Sequence, residues 1–233
     1  MSESATSLAS FPFLGRSEFT IACQAFVNRV NACGDLSRLG WTGVRFDYQD
    51  GEPVLVIYKT VDGLASRTLH REEQDGATCH KHGEAEDDTT EIEPEDDPEV
   101  LVRQPNIRPR LQVEYSVLLS PTYQVPVLYF LLHGPFPKGP EGLDFIYDCL
   151  VPAQYRSELK DVGVMGGISI GHHPISNFPA YFVHPCNTPD ALRAVAGRSE
   201  PTAETYLFLW LGLVGNGVSL HVPSELLTNK SDQ

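Results

Sequence analysis

Residues 44–48 alternate apolar and polar side chains, which is the period of a half-buried β-strand. An Asp50-Gly51 turn follows, and residues 54–58 return as a second strand. Residues 111–119 alternate again, and after a Ser-Pro-Thr break residues 125–132 supply a partner strand. The pattern predicts a four-stranded antiparallel meander, because short turns join neighbouring strands in each pair.

Helical spacing flanks this meander on both sides. Residues 17–33 place an apolar stripe on one face, and Gly34 follows as a stop signal. Further helices are predicted at residues 143–150, 189–195 and 205–213, the last apolar nearly all round and therefore buried, and residues 165–170 read as a further strand or an extended segment. The fold class is therefore α+β.

The third feature is a block of negative charge between the two strand pairs. Ten acidic residues lie between residues 84 and 99, and without them the net charge of −14 falls to −4. Such a block buries too little apolar surface to offset its ordering entropy. We predict a single domain over residues 1–233, with residues 65–105 a mobile acidic insertion. A solvated loop is favoured over a partner-binding segment.

Composition excludes several classes of protein. The net charge of −14 argues against a nucleic-acid binder, because neutralising phosphates needs clustered Lys and Arg. The longest strongly apolar stretch, residues 206–214, is too short for a membrane span. Residues 1–15 lack the features of a secretory signal, and five widely spaced cysteines do not form a disulfide framework. Reduced thiols in the cytoplasm are therefore expected.

The candidate nucleophile is Cys186. It follows Pro185 and precedes a predicted helix start, with Thr188 as the N-cap, Pro189 at the first helical position and Asp190 in the first turn. The amides and dipole at a helix start favour an anion, and so favour thiolate over thiol. The other interpretation is a small buried apolar residue, which is the role of most cysteines.

A second group of possible ligands lies in the predicted insertion, at His70, Cys79, His80 and His82. Their spacing matches no established zinc pattern, so we expect solvated loop residues and no metal. The chain also lacks the Gly-x-x-x-x-Gly-Lys phosphate-binding pattern. No cofactor is predicted.

Three stretches together carry a family resemblance. They are the strand at residues 126–130, the Ile-Gly-His-His-Pro stretch at residues 170–174, and the His-Pro-Cys-Asn-Thr stretch at residues 184–188, followed by the apolar helix. In this order they resemble the autophagy-related protein 10 family, which is ubiquitin-conjugating-enzyme-like. The autophagy-related protein 3 family shares the His-Pro-Cys tripeptide, but there a basic residue and His follow the cysteine.

The resemblance implies a specific reaction. The family's cysteine, here Cys186, accepts the ubiquitin-like autophagy-related protein 12 as a thioester from the activating enzyme, autophagy-related protein 7. A lysine of autophagy-related protein 5 then takes it in an isopeptide bond during autophagosome formation. The resemblance also implies a ubiquitin-conjugating-enzyme-like fold, with no cofactor on this chain.

One departure from ordinary conjugating enzymes is visible. Their His-Pro-Asn tripeptide supplies an asparagine for the oxyanion or its loop, whereas here His173-Pro174 is followed by Ile175. Asn177 and Asn187 do not occupy the matching slot. Backbone amides near Asn187 and Thr188 are the first candidates for oxyanion donors.

Two other functions stay open from the sequence alone. A cysteine hydrolase would pair Cys186 with a distant base, for which His133, His173 and His221 are available. A non-catalytic interaction domain would keep its function without Cys186. We expect His184, His172 and His173 to be structural, with His184 shaping the turn before Cys186. Three tyrosines on predicted strands are expected to pack in the sheet: Tyr58, Tyr115 and Tyr129.

Overall fold

The computed structural model describes residues 7–37, 40–62, 110–134, 136–137, 140–161, 167–197 and 200–227. These residues all belong to one compact unit. The predicted insertion at residues 65–105 lies outside the described residues, so its mobility and the role of its acidic tract stay predictions. The same holds for the histidines and the cysteine at positions 70 to 82.

The predicted meander is confirmed. Strands β1 (Trp41–Gln49), β2 (Glu52–Asp62), β3 (Arg110–Leu119) and β4 (Pro126–His133) lie side by side and pair antiparallel in chain order. The alternation predicted for β3 is present, because Leu111, Val113, Tyr115 and Val117 are all buried on one face.

Two further strands extend this sheet. β5 (Ile168–His172) and β6 (Pro179–Val183) form a hairpin, and the sheet order is β1-β2-β3-β4-β6-β5. β6 pairs with β4 through only two residue pairs, Tyr129 with Phe182 and Phe130 with Tyr181. The sequence analysis anticipated β5 but not β6.

The predicted helices are all confirmed with small shifts at their ends. They are α1 (Arg16–Cys33), α2 (Pro140–Leu150), α4 (Thr188–Ala196) and α5 (Ala203–Val214). The short α3 (Arg156–Asp161) was not expected, because its sequence has a single large apolar residue, Leu159.

One face of the sheet carries the main core. Helix α1 buries the predicted stripe, Phe19, Cys23, Phe26 and Val30, and packs on α5. The rings of Phe26 and Phe208 lie 4.9 Å apart at this contact. Residues from α1, α5 and the inward side of the strands join in one apolar cluster.

The opposite face of the sheet carries a smaller apolar cluster. Val54, Val56 and Leu118 are buried there, with Tyr129 and Ile175 packed against them. Residues 54–57 are therefore buried on both faces, which is why this strand shows no alternation in the sequence.

Buried tyrosine hydroxyls connect distant parts of the chain. The Tyr115 hydroxyl donates to the Val218 carbonyl at 2.7 Å, in the turn after α5. The Tyr206 hydroxyl donates to the Pro12 carbonyl at 2.7 Å. Burial raises the pKa of both side chains, so each stays a neutral donor.

Candidate active site

Cys186 lies in a single 3-10 turn between the sheet and a helix. The chain leaves β6, passes His184, turns through Pro185–Asn187 and enters α4. Pro185 is buried, Cys186 is half-buried and Asn187 is exposed. The structure therefore places the thiol residue at the surface beside a helix start, as the sequence predicts.

The cap of this helix differs from the expected one. The N-cap is Asn187 and not Thr188, and Thr188 is the first residue of α4. The reason is the preceding 3-10 turn, in which the Thr188 amide already donates to the Pro185 carbonyl. That amide is used inside the turn, so the expectation that Thr188 donates to an oxyanion is wrong for this conformation.

His184 is tied to the backbone of Cys186. Its Nδ1 accepts a hydrogen bond from the Cys186 amide at 3.3 Å. The ring packs edge-on against Tyr123, with centroids 5.7 Å apart, and lies 6.1 Å from the ring of Phe182. The expected structural role of His184, shaping the turn, matches this geometry. Tyr123 was missed by the sequence analysis, since only the fold brings its turn beside residue 184.

His173 forms a similar arrangement in another turn. Its Nδ1 accepts from the amides of Ile175 and Ser176 at 3.4 and 3.3 Å, and only 5% of the residue is exposed. Burial lowers the pKa of His173, while Glu114 opposes that shift in part. The ring therefore favours the neutral state, in which Nδ1 can accept both amides.

The two turns lie at opposite ends of β6. Five residues of strand, at about 3.3 Å each, separate them by roughly 16 Å. A chain of ring contacts connects the two turns along the sheet, with successive centroids from His173 through Tyr129 and Phe182 to His184 at 5.3, 5.6 and 6.1 Å. The turn that holds His173 and Asn177 lies at the opposite end of β6 from Cys186.

The other histidines proposed as bases are also distant. β4 and β6 run antiparallel, so Cys186 lies beside the start of β4, whereas His133 is at the end of β4. There His133 Nε2 is 3.2 Å from Glu114 Oε2. His221 lies near Lys59, towards the end of β2, and its Nδ1 is 2.7 Å from Asn216 Oδ1. In the described part of the chain, no histidine paired with a carboxylate lies beside Cys186.

A small apolar cleft opens next to the turn. Its volume is about 170 Å³, and residues 184, 187 and 188 form part of its wall. The rest of the lining is mostly apolar and includes Leu159, Ile168, Val183, Ala191, Leu213 and Val214. The lining contains no Asp, Glu, Lys or Arg, so an apolar group fits the cleft better than a charged one.

Within the described ranges, no cluster of three or more His, Cys, Asp or Glu side chains could hold a metal ion. None of the four described cysteines, Cys23, Cys33, Cys149 and Cys186, is in a disulfide. No helix among the described residues is long and apolar enough to cross a membrane.

An antiparallel sheet with flanking helices, and a surface cysteine at a helix start, define an α+β fold of the ubiquitin-conjugating-enzyme type. A family model described as "Autophagocytosis associated protein, active-site domain" matches residues 18–225, and the chain belongs to this family. The resemblance drawn from the His-Pro-Cys region is thereby confirmed.

Curated relatives carry the name ubiquitin-like-conjugating enzyme ATG10. The protein of Gibberella zeae is 42% identical over 134 residues, which are 57% of this chain and 55% of that relative. The human protein is 29% identical over 216 residues, 91% of both chains. The protein of Dictyostelium discoideum is 26% identical over 128 residues, 51% of this chain and 55% of the relative. The matched segment thus spans little more than half of the first relative's length.

Proposed function

We propose that this chain is a ubiquitin-like protein transferase that carries its cargo as a thioester on Cys186. The observation that supports this best is the position of Cys186, half-buried in a turn that leads directly into α4. The relatives' name, ubiquitin-like-conjugating enzyme, agrees with a thiol in that position.

The first step is thioester exchange. The Cys186 thiolate attacks the carbonyl carbon of a thioester held by the activating enzyme, and a new carbon–sulfur bond forms as the old one breaks. The activating enzyme's cysteine leaves as a thiolate. Cys186 stands two residues before the first residue of α4, in the turn that leads into that helix.

The second step is aminolysis. A deprotonated lysine amine of the acceptor attacks the same carbonyl, the amide bond forms and the Cys186 thiolate leaves, while the amine proton passes to solvent. No strong base beside Cys186 is required, because a thioester is already reactive towards amines. ATP is consumed by the activating enzyme in the formation of its own thioester.

The partners follow from the family resemblance. We assign the ubiquitin-like cargo as autophagy-related protein 12, the activating enzyme as autophagy-related protein 7 and the acceptor as autophagy-related protein 5. The reaction is assigned to the cytoplasm, in agreement with the free thiols of the described chain.

A charging assay tests this proposal. The protein is mixed with the activating enzyme, the ubiquitin-like protein and ATP, and gels are run with and without reductant. We expect a heavier band that reductant removes. Cys186→Ser should abolish it or convert it to a reductant-resistant oxyester, whereas Cys33→Ser, a half-buried thiol at the end of α1, should charge normally.

The alternatives make different predictions. A hydrolase would release free product from a thioester without any band, and the distance from Cys186 to His133 and His173 already weighs against it. An interaction domain would keep its function in Cys186→Ser. If the activating enzyme charges itself but this protein never does, the transferase proposal is wrong.

A further inference from the structure

We infer that His184 is a positioning residue for the thiol of Cys186, acting through the Cys186 backbone amide. This inference rests on the transferase proposal. It assigns to His184 a role in the rate of thioester formation, and not only in holding the fold together.

The hydrogen bond from the Cys186 amide to His184 Nδ1 fixes the state of the imidazole. A nitrogen that accepts a backbone amide carries no proton, so in the neutral ring the proton sits on Nε2. Nδ1 therefore faces the backbone and cannot take the thiol proton while this bond exists. That arrangement separates His184 from the general base of a cysteine hydrolase.

Two aromatic rings contact the imidazole of His184. Tyr123, from the turn between β3 and β4, meets it edge-on at 5.7 Å, and Phe182, from β6, lies at 6.1 Å. On the other side of the ring's backbone, the His184 amide donates to the Gly167 carbonyl at 3.2 Å. An imidazole anchored to the sheet in this way fixes where the amide of Cys186 lies.

The amide that His184 holds belongs to Cys186 itself, so the hydrogen bond also restricts the orientation of the Cys186 side chain. The turn Pro185–Asn187 contains no other side-chain hydrogen bond to the Cys186 amide among the described contacts, and Pro185 is buried. Without the bond to His184, the turn keeps its buried proline and the hydrogen bond from the Thr188 amide to the Pro185 carbonyl, but loses the bond at the Cys186 amide. Cys186 then occupies the productive orientation for a smaller fraction of the time.

His173 forms the same hydrogen bond as His184, with its ring Nδ1 as the acceptor. It also precedes a proline, and its Nδ1 likewise accepts the amide two residues on, from Ile175. The same local chemistry occurs twice in the described chain. Only at position 184 does the captured amide belong to a surface thiol.

Two substitutions at position 184 distinguish the hydrogen-bond acceptor from the packing of the ring. His184→Phe keeps an aromatic ring for Tyr123 and Phe182 but has no acceptor. His184→Asn loses the ring, but an asparagine oxygen can accept the amide two residues ahead, as in an Asx turn. Thermal unfolding of both variants controls for loss of the fold.

The experiment measures two quantities on the full chain. The first is hydrogen–deuterium exchange of the Cys186 amide, followed by NMR on the isolated protein. The second is the single-turnover rate of charging by the activating enzyme. We expect His184→Phe to raise the exchange rate about fivefold and to slow charging by a similar factor, since one net hydrogen bond is lost. His184→Asn should restore most of both.

The outcomes distinguish failure of the positioning role from failure of the transferase proposal. Charging of His184→Phe at the wild-type rate, or His184→Asn as slow as His184→Phe, overturns the positioning role while the transferase proposal stands. Faster amide exchange with unchanged charging also overturns it, because the bond would then be structural only. Failure of the wild-type protein to charge refutes the transferase proposal itself, and the role of His184 with it.

Discussion

Removal of the Tyr115 hydroxyl should destabilise the protein by about 2 kcal/mol. The side chain is fully buried in β3, and its hydroxyl donates to the Val218 carbonyl at 2.7 Å. Tyr115→Phe keeps the ring and its packing against Phe130, whose centroid is 6.0 Å away. The substitution leaves a buried carbonyl without this donor, and such a group costs about 1–3 kcal/mol.

The assay is thermal unfolding followed by circular dichroism, with urea unfolding as a second measure. For a domain of this size each 1 kcal/mol lowers Tm by about 2–4 °C, so a fall of about 4–8 °C is expected. Tyr48→Phe is the matched control, because Tyr48 is 53% exposed and the same atom is removed. Its Tm should stay within about 1 °C of the wild type.

A Tm for Tyr115→Phe within about 1 °C of the wild type would refute the reasoning. It would mean that the Val218 carbonyl finds another donor, and that the hydroxyl adds nothing to the attachment of the turn after α5. Val218 also lines the cleft beside the Cys186 turn. A confirmed loss would therefore show that this wall of the cleft is held from inside the sheet.

Two further predictions concern other positions. Gly215→Ala should destabilise the protein by more than about 2 kcal/mol, because the new Cβ would lie 2.2 Å from the Leu220 carbonyl oxygen. Gly212→Ala is the control, since its Cβ meets nothing within 4 Å and should stabilise the protein by about 0.5–1 kcal/mol through helix propensity. Urea midpoints of both variants check this, and equal effects would contradict it. Burial holds the pKa of His173 below its ordinary value of 6.5, with Glu114 opposing, so unfolding takes up a proton and the unfolding free energy should fall as pH drops from about 6.5 through the folded-state pKa. His173→Asn should flatten the dependence of the unfolding free energy on pH, measured by urea titrations between pH 7.5 and 5. The part due to His221 should remain, because burial and Lys59 also lower the pKa of that side chain. An unchanged slope would show that His173 does not titrate in this range.

Much of the sheet could be predicted because its strands carry local signals. β3 alternates polar and apolar residues from Arg110 to Val117, and the Asp50-Gly51 pair marks the turn between β1 and β2. β6 carried no such signal. It is five residues long, begins with a proline and is defined by pairing with β5, which is a tertiary property.

Some features of the candidate site could be predicted from local sequence, and others depend on the tertiary fold. The cysteine and its helix start follow from neighbouring residues, since Pro185 and Pro189 both restrict the local backbone. The cap was misplaced by one residue, because a 3-10 turn preceding a helix has no distinct sequence signal. The separation of His173 from Cys186 could not be predicted, since only the hairpin shows that the twelve residues between them include the whole length of a strand.

The contact between α1 and α5 has a consequence for how the chain is made. The Tyr206 hydroxyl reaches the Pro12 carbonyl across 194 residues, and Arg29 reaches the Leu226 carbonyl across 197. During synthesis the first helix and the meander leave the ribosome long before their partner helix exists. Cys186 also emerges before α5, so the thiol is exposed on a nascent chain whose core is still open. Closure of that core depends on sequence-distant contacts, which form slowly, so the residue proposed to carry the thioester is synthesised before the helix that completes the core.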